Sequence, residues 1–157
     1  MADVFSAQLS EAHRKLHVLA GVWRGEDAIA QTPFNRNGGQ VVTLSTARIG
    51  LDGLVIIADD EQSRAGQVVF RAHKIFGWDE RQHVYTFHFF DSDGANPPQR
   101  AEGHWVANTL GLEQKTPFGL VRHTFTFASD QVFSYRMETS EAGQAWALFW
   151  EGHYRRI

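Results

Sequence analysis

The sequence predicts an all-β protein: a closed antiparallel meander of about ten strands with one short helix ahead of it. Three observations carry this. Segments rich in β-branched and aromatic residues alternate with turn residues at near-regular spacing along most of the chain. Before them, Leu9, Ala12, Leu16 and Leu19 recur at helical spacing and stop at Gly21. Finally, Gly21-Val22-Trp23 near the start is answered by Tyr154-Arg155-Arg156 near the end. A tryptophan can plug one end of a closed sheet. A guanidinium laid over its ring then caps the plug, a contact worth roughly 0.5–2 kcal/mol. Strand alternation selects Arg156 for this, on the face of Trp146, Leu148, Trp150 and Tyr154.

The elements follow in order. The helix is expected over about 6–20, with Ser6 or Ser10 as its N-cap. Strands are expected over 23–30, 41–49, 54–58, 68–76, 84–90, 103–107, 110–113, 120–127, 132–137 and 146–154. Turn chemistry separates them at Asn37-Gly38-Gly39, Leu51-Asp52-Gly53, Arg64-Ala65-Gly66 and Trp78-Asp79-Glu80. Asp93-Gly94 through Pro97-Pro98, Ser129-Asp130 and Glu141-Ala142-Gly143 do the same further on. With no repeat and no linker, residues 1–157 read as one domain, its barrel over about 22–156.

One hairpin permits a register. Val121, His123, Phe125 and Phe127 alternate on one strand, and Phe133, Tyr135 and Met137 on the next. Residues directly opposite share a face. Matching the apolar sets pairs Phe125 with Phe133, His123 with Tyr135 and Val121 with Met137, through a three-residue turn at 128–130. The apolar face is then expected inside the barrel. The same register sets Arg122 opposite Arg136 on the other face.

Composition excludes several classes. The chain has 157 residues, a net charge of -3 and no cysteine, so nothing points to nucleic acid, an anionic membrane surface, a disulfide scaffold or a thiolate metal site. Aromatic residues make up 13%, with 12 Phe and 5 Trp, which suits a packed inner face or an apolar pocket. Residues 1–10 have no apolar core of the kind a signal peptide needs, and a cytoplasmic protein is the expectation.

The eight histidines invite a metal reading, which their spacing does not support. His13 and His17 stand four apart on the helix but lack the intervening glutamate of the zinc-protease pattern, and they read as a solvated helix face. The others fall on separate strands. His123, among Val121, Phe125 and Phe127, is the exception: inside an apolar lumen it needs a partner or a ligand. No nucleophile elbow or phosphate loop is present.

The chain resembles a bacterial family known as a numbered domain of unknown function, with a lipocalin-like (calycin) barrel. The stretches that carry the likeness are His13-Arg14-Lys15-Leu16, Leu19-Ala20-Gly21-Val22-Trp23-Arg24-Gly25-Glu26, Leu51-Asp52-Gly53 and Asp59-Asp60-Glu61-Gln62. Phe76-Gly77-Trp78-Asp79, Phe89-Phe90-Asp91-Ser92, Ala101-Glu102-Gly103-His104-Trp105 and Glu151-Gly152-His153-Tyr154-Arg155-Arg156 complete it. The resemblance implies a calycin-like barrel and carries no activity with it. Gly21 through Glu26 is also similar to the opening of nitrobindin-type haem barrels, which hold haem by a last-strand histidine. Here that stretch reads Ala147-Leu148-Phe149-Trp150, so no haem and no other cofactor is expected.

The expected function is non-covalent binding of a small apolar molecule, oriented by Trp105, His123, Phe133, Tyr135 and Trp150. A second reading has Arg122 and Arg136 clamp a carboxylate, as in the fatty-acid-binding barrels that the fold resembles. A third is a cofactor-free isomerase, lyase or hydrolase that uses a lumen histidine with Glu102 or Glu138, and a fourth is a filled barrel acting as scaffold. The sequence is compatible with a homodimer.

Overall fold

In the computed structural model, which describes residues 7–31, 38–94, 99–142 and 144–157, ten antiparallel strands close into a barrel. They are β1 (Gly21–Ile29), β2 (Gly39–Gly50), β3 (Val55–Arg64), β4 (Gln67–Asp79) and β5 (Val84–Asp91). Then come β6 (Ala101–Val106), β7 (Thr109–Thr116), β8 (Gly119–Ser129), β9 (Val132–Ser140) and β10 (Ala147–Arg156). Each strand pairs with its neighbours in sequence, and β1 pairs with β10 to close the ring.

The helix is shorter than its apolar spacing suggests. α1 (Glu11–Lys15) continues only as a 3₁₀ turn (Leu16–Leu19). Ser10 is the N-cap, and its backbone N–H donates to His13 Nδ1 at 3.0 Å, so α1 starts at Glu11. The alternative cap Ser6 lies outside the described residues, as do Asn37, Pro97, Pro98 and Gly143 of the expected turns. Nor are His13 and His17 a solvated face. His13 is buried in the capping box, and His17 Nε2 lies 2.9 Å from the Gly53 carbonyl, tying helix to turn.

Leu16 and Leu19 bury against Trp23, which is 1% exposed and plugs this end of the barrel. Trp23 donates its indole N–H to the Leu19 carbonyl at 2.9 Å, and Phe133 meets its ring edge-on at 4.8 Å. Arg156 lies over the ring, 4.3 Å from its centre.

Two bulges alter what simple alternation predicts. In the β8–β9 hairpin the parity of the faces is as expected, but the register moves by two: Phe127 faces Phe133, Phe125 faces Tyr135 and His123 faces Met137. Ala128 is the extra residue of a bulge, followed by a two-residue turn at Asp130-Gln131. Electrostatics accounts for the choice. This register sets Arg122 opposite Glu138, at 3.2 Å, where the expected one opposed two arginines. In β10 a bulge at Phe149 puts Leu148 on the outer face, opposite Glu138, while Trp150 points inward. Leu148 therefore does not share the face of Trp150 and Arg156.

Candidate functional site

β1 enters the barrel at the helix and β10 returns there, so the helix marks a closed end and the 29–39 side marks the other. Inward positions change character between the two ends. Next to the helix they are apolar: Trp23, Ile56, Phe76, Phe87, Leu110, Phe125 and Phe127. Halfway along comes a polar layer of Asp27, Thr43, Asp60, Gln62, Lys74, His123, Tyr135 and Tyr154, every one of them buried. Beyond it, half-buried Ile29, Phe70, Phe89, Met137 and Phe149 ring the far mouth.

Asp27 organises one side of this layer. Its Oδ1 accepts from the Trp150 indole at 2.8 Å and from the Tyr154 hydroxyl at 2.7 Å, and its Oδ2 accepts from the Thr43 hydroxyl. Burial pushes its carboxyl above the ordinary value, and these donors hold it partly down. Two glycines make room. A Cβ at Gly152 would stand 1.7 Å from Asp27 Oδ1, and one at Gly25 would stand 2.2 Å from the Tyr154 ring. Asp27 thus joins β1, β2 and β10 inside the lumen.

The other side of the layer is less complete. Lys74 makes a buried ion pair with Asp60 and reaches toward the Tyr135 ring across the lumen, 5.7 Å from its centre. His123 Nδ1 lies 2.7 Å from the Tyr135 hydroxyl, with Phe87 at 4.9 Å and Phe89 at 6.3 Å from the imidazole. Burial lowers the His123 pKa from 6.5 to about 3, with Lys74 acting the same way, and raises that of Tyr135 well above its ordinary value. The imidazole is therefore neutral and the phenol protonated. In the tautomer where the phenol donates to Nδ1, the imidazole proton sits on Nε2. That Nε2 is buried without a hydrogen-bond partner, and so are Gln62 Nε2 and Asp60 Oδ1.

Of the residues singled out from sequence, His123, Tyr135 and Trp150 meet in this layer; Tyr135 and Trp150 pack edge-on at 5.4 Å. Phe133 lies nearer the helix, stacked on Tyr154 at 4.7 Å. Trp105 is also at the helix end, against Phe127, beside a cavity of about 280 Å³ lined by Lys15, Val18 and Ala107.

The arginine clamp is corrected. Arg122 lies on the outer face, paired with Glu138 and set over the Trp146 ring at 4.1 Å. Arg136 is exposed, opposite Thr124 and Glu151. Glu102 pairs with Arg100 outside the lumen, so neither Glu102 nor Glu138 stands beside His123. A cleft of about 1000 Å³ also lies outside the barrel, between residues 7–10 and β4–β5, with His88 and Arg100 in its wall.

Sequence reasoning missed Asp27, Thr43, Asp60, Gln62 and Lys74. The signal was their parity: Asp27 alternates with Trp23 and Gly25, Asp60 and Gln62 with Ile56 and Ala58, and Lys74 with Ala72 and Phe76. Among the described residues, no three His, Asp or Glu side chains are grouped to hold a metal, and no helix is long and apolar enough to cross a membrane.

The barrel has counterparts of known structure. The crystal structure of Rv2717c from M. tuberculosis matches with a TM-score of 0.71 at 12% identity, over 96% of this chain and 99% of that one. The S-type phycobiliprotein lyase CPES from Guillardia theta matches with a TM-score of 0.64 at 10% identity, over 96% and 98%. At these identities the likeness is one of fold. No curated protein sequence matches the chain. Its helix, its barrel and the Trp23–Arg156 closure all fall within residues 8–156, which match one family throughout: the chain belongs to the family described as Protein of unknown function (DUF1579).

Proposed function

We propose that this protein binds a small, largely apolar molecule non-covalently inside the barrel, admitted at the mouth away from the helix. One observation carries the reading. Three buried polar atoms, His123 Nε2, Gln62 Nε2 and Asp60 Oδ1, have no hydrogen-bond partner in a lumen walled by aromatic rings. Buried polar groups are almost always satisfied, so a ligand atom completes them at a physical gain. The apolar ring of Ile29, Phe70, Phe89, Met137 and Phe149 at the mouth suits such a ligand.

The proposal includes no haem and no metal. The inward positions of β10 are Trp150, Gly152 and Tyr154, and His153 is exposed on the outer face. No nucleic-acid or membrane partner is invoked, and a cytoplasmic setting is part of the same reading.

A thermal-shift screen of aromatic ketones, aromatic acids, fatty acids and haem tests it. A ligand at about 100 times its dissociation constant adds roughly 2.7 kcal/mol, a shift of several degrees. A Soret band on haem titration overturns the cofactor-free part. Rings that meet across the lumen, Phe76 with Phe125 at 5.4 Å and Phe70 with Trp150 at 6.2 Å, favour a second reading, a filled scaffold. Absence of any shift decides for that one.

A further inference from the structure

The groups left over in the polar layer say what head group the ligand carries. This step rests on lumen binding as proposed above. In this layer His123 Nε2, Gln62 Nε2 and Asp60 Oδ1 lack a hydrogen-bond partner; with Tyr135 donating to His123 Nδ1 the two nitrogens are donors, and Asp60 Oδ1 is an acceptor. All three side chains are 2% exposed. They stand on β8 and β3, on opposite sides of the ring, so they face a common interior. Two donors want an oxygen acceptor. Asp60 Oδ1 beside them takes a hydrogen, which an amide N–H can give.

Charge then decides which acceptor. Among the described residues, the layer holds two carboxylates, Asp27 and Asp60, and one cation, Lys74, which is already committed to Asp60. The basic side chains that could have met an anion, Arg122 and Arg136, are on the outer face. A third carboxylate would enter with no free cation to neutralise it, in surroundings where unpaired charge is costly. We infer that the lumen selects an uncharged, carbonyl-bearing aromatic or aliphatic molecule, such as a ketone, ester or amide, over the matching carboxylate.

The test is a set of three ligands on one naphthalene body: 2-acetylnaphthalene, 2-naphthamide and 2-naphthoate, with 2-ethylnaphthalene as hydrocarbon control. Affinities for the full chain are measured by calorimetric titration at neutral pH. The ketone and amide are expected to bind at least about ten-fold tighter than naphthoate, a difference of about 1.4 kcal/mol. Gln62→Leu should remove most of that advantage for the amide and leave the hydrocarbon unchanged. Asp60→Asn releases Lys74, and its expected effect is a gain in naphthoate binding, which mere loss of fold cannot mimic. Naphthoate binding as tightly as the ketone to the unaltered chain overturns the selectivity and leaves lumen binding standing. If none of the four compounds binds, lumen binding fails, and the selectivity with it.

Discussion

Arg156 and Trp23 face each other across the seam between β10 and β1, with the guanidinium 4.3 Å above the indole. The same guanidinium donates to the carbonyls of Ala20, Val18 and Asp130, the last two at 3.0 Å. One side chain thus fastens the end of the helix, the first strand and the β8–β9 turn. Gly21 leaves it room, since a Cβ there would stand 2.1 Å from an Arg156 nitrogen.

Removing Trp23 should therefore cost about 3–5 kcal/mol, the range for a buried aromatic truncated to alanine. Arg156→Ala should cost about 2 kcal/mol, through lost charged hydrogen bonds and the ring contact. Arg156→Lys should recover less than half of that, because one ammonium cannot serve three carbonyls and a ring face. Urea midpoints of the three variants check the order.

Asp27 gives a sharper contrast. Asp27→Leu leaves the donors of Thr43, Trp150 and Tyr154 without an acceptor, and a loss of about 3 kcal/mol is expected. Asp27→Asn keeps one carbonyl oxygen for Trp150 and Tyr154, and about 1 kcal/mol is expected. Gly152→Ala should cost about 3 kcal/mol by overpacking against the same carboxylate. Equal midpoints for the leucine and asparagine variants would show that the network carries no stability.

Stability should also depend on the protonation of His123. Its folded pKa, about 3, lies below the 6.5 of a free imidazole. Between these values the unfolded chain binds the extra proton and the folded chain does not. This contribution is fully present above about pH 6.5 and falls away as the pH drops toward 3, by about 1.4 kcal/mol per unit. His88, also lowered by burial, adds the same sign, whereas Asp27, raised above 3.8, adds the opposite one. The difference between wild type and His123→Gln isolates the term: the variant's stability should slope less with pH across this window. Parallel curves would mean that His123 is not buried neutral.

Glu138→Arg would set two arginines opposite each other on β8 and β9. A cost of about 1 kcal/mol, shrinking as salt is added, is expected for this partly exposed pair. No change on denaturation would point to the other register, in which Glu138 does not face Arg122.

The fold was legible in the sequence because aromatic and β-branched residues mark each strand and turn residues break them cleanly. The polar layer was not. A reading led by hydrophobicity places Asp27, Asp60 and Lys74 on the surface, and only counting in twos from Trp23, Ile56 and Phe76 turns them inward. His123 was recognised because its neighbours on the same face are unbroken apolar residues. Register was harder. Both registers, the three-residue turn and the bulge with a two-residue turn, keep Phe125, Phe127 and Phe133 inside, and what separates them is a charge pair on the opposite face. The stop of α1 also had little to announce it: Leu16 and Leu19 keep helical spacing through the 3₁₀ turn.

The closure of the ring has a mechanical consequence. β1 starts where β10 ends, and their partners run in order from Trp23 opposite Arg156 to Ile29 opposite Trp150. Tension applied between Gly21 and Arg156 therefore loads the seam one rung at a time, like a zipper, and does not shear all its rungs together. The first obstacle it meets is the Arg156 clasp. Past that, the next resistance comes at Asp27, whose bonds to Tyr154 and Trp150 cross the same seam. In a pulling experiment, this barrel should yield at low force, with the arginine setting the threshold and the aspartate a second, smaller step.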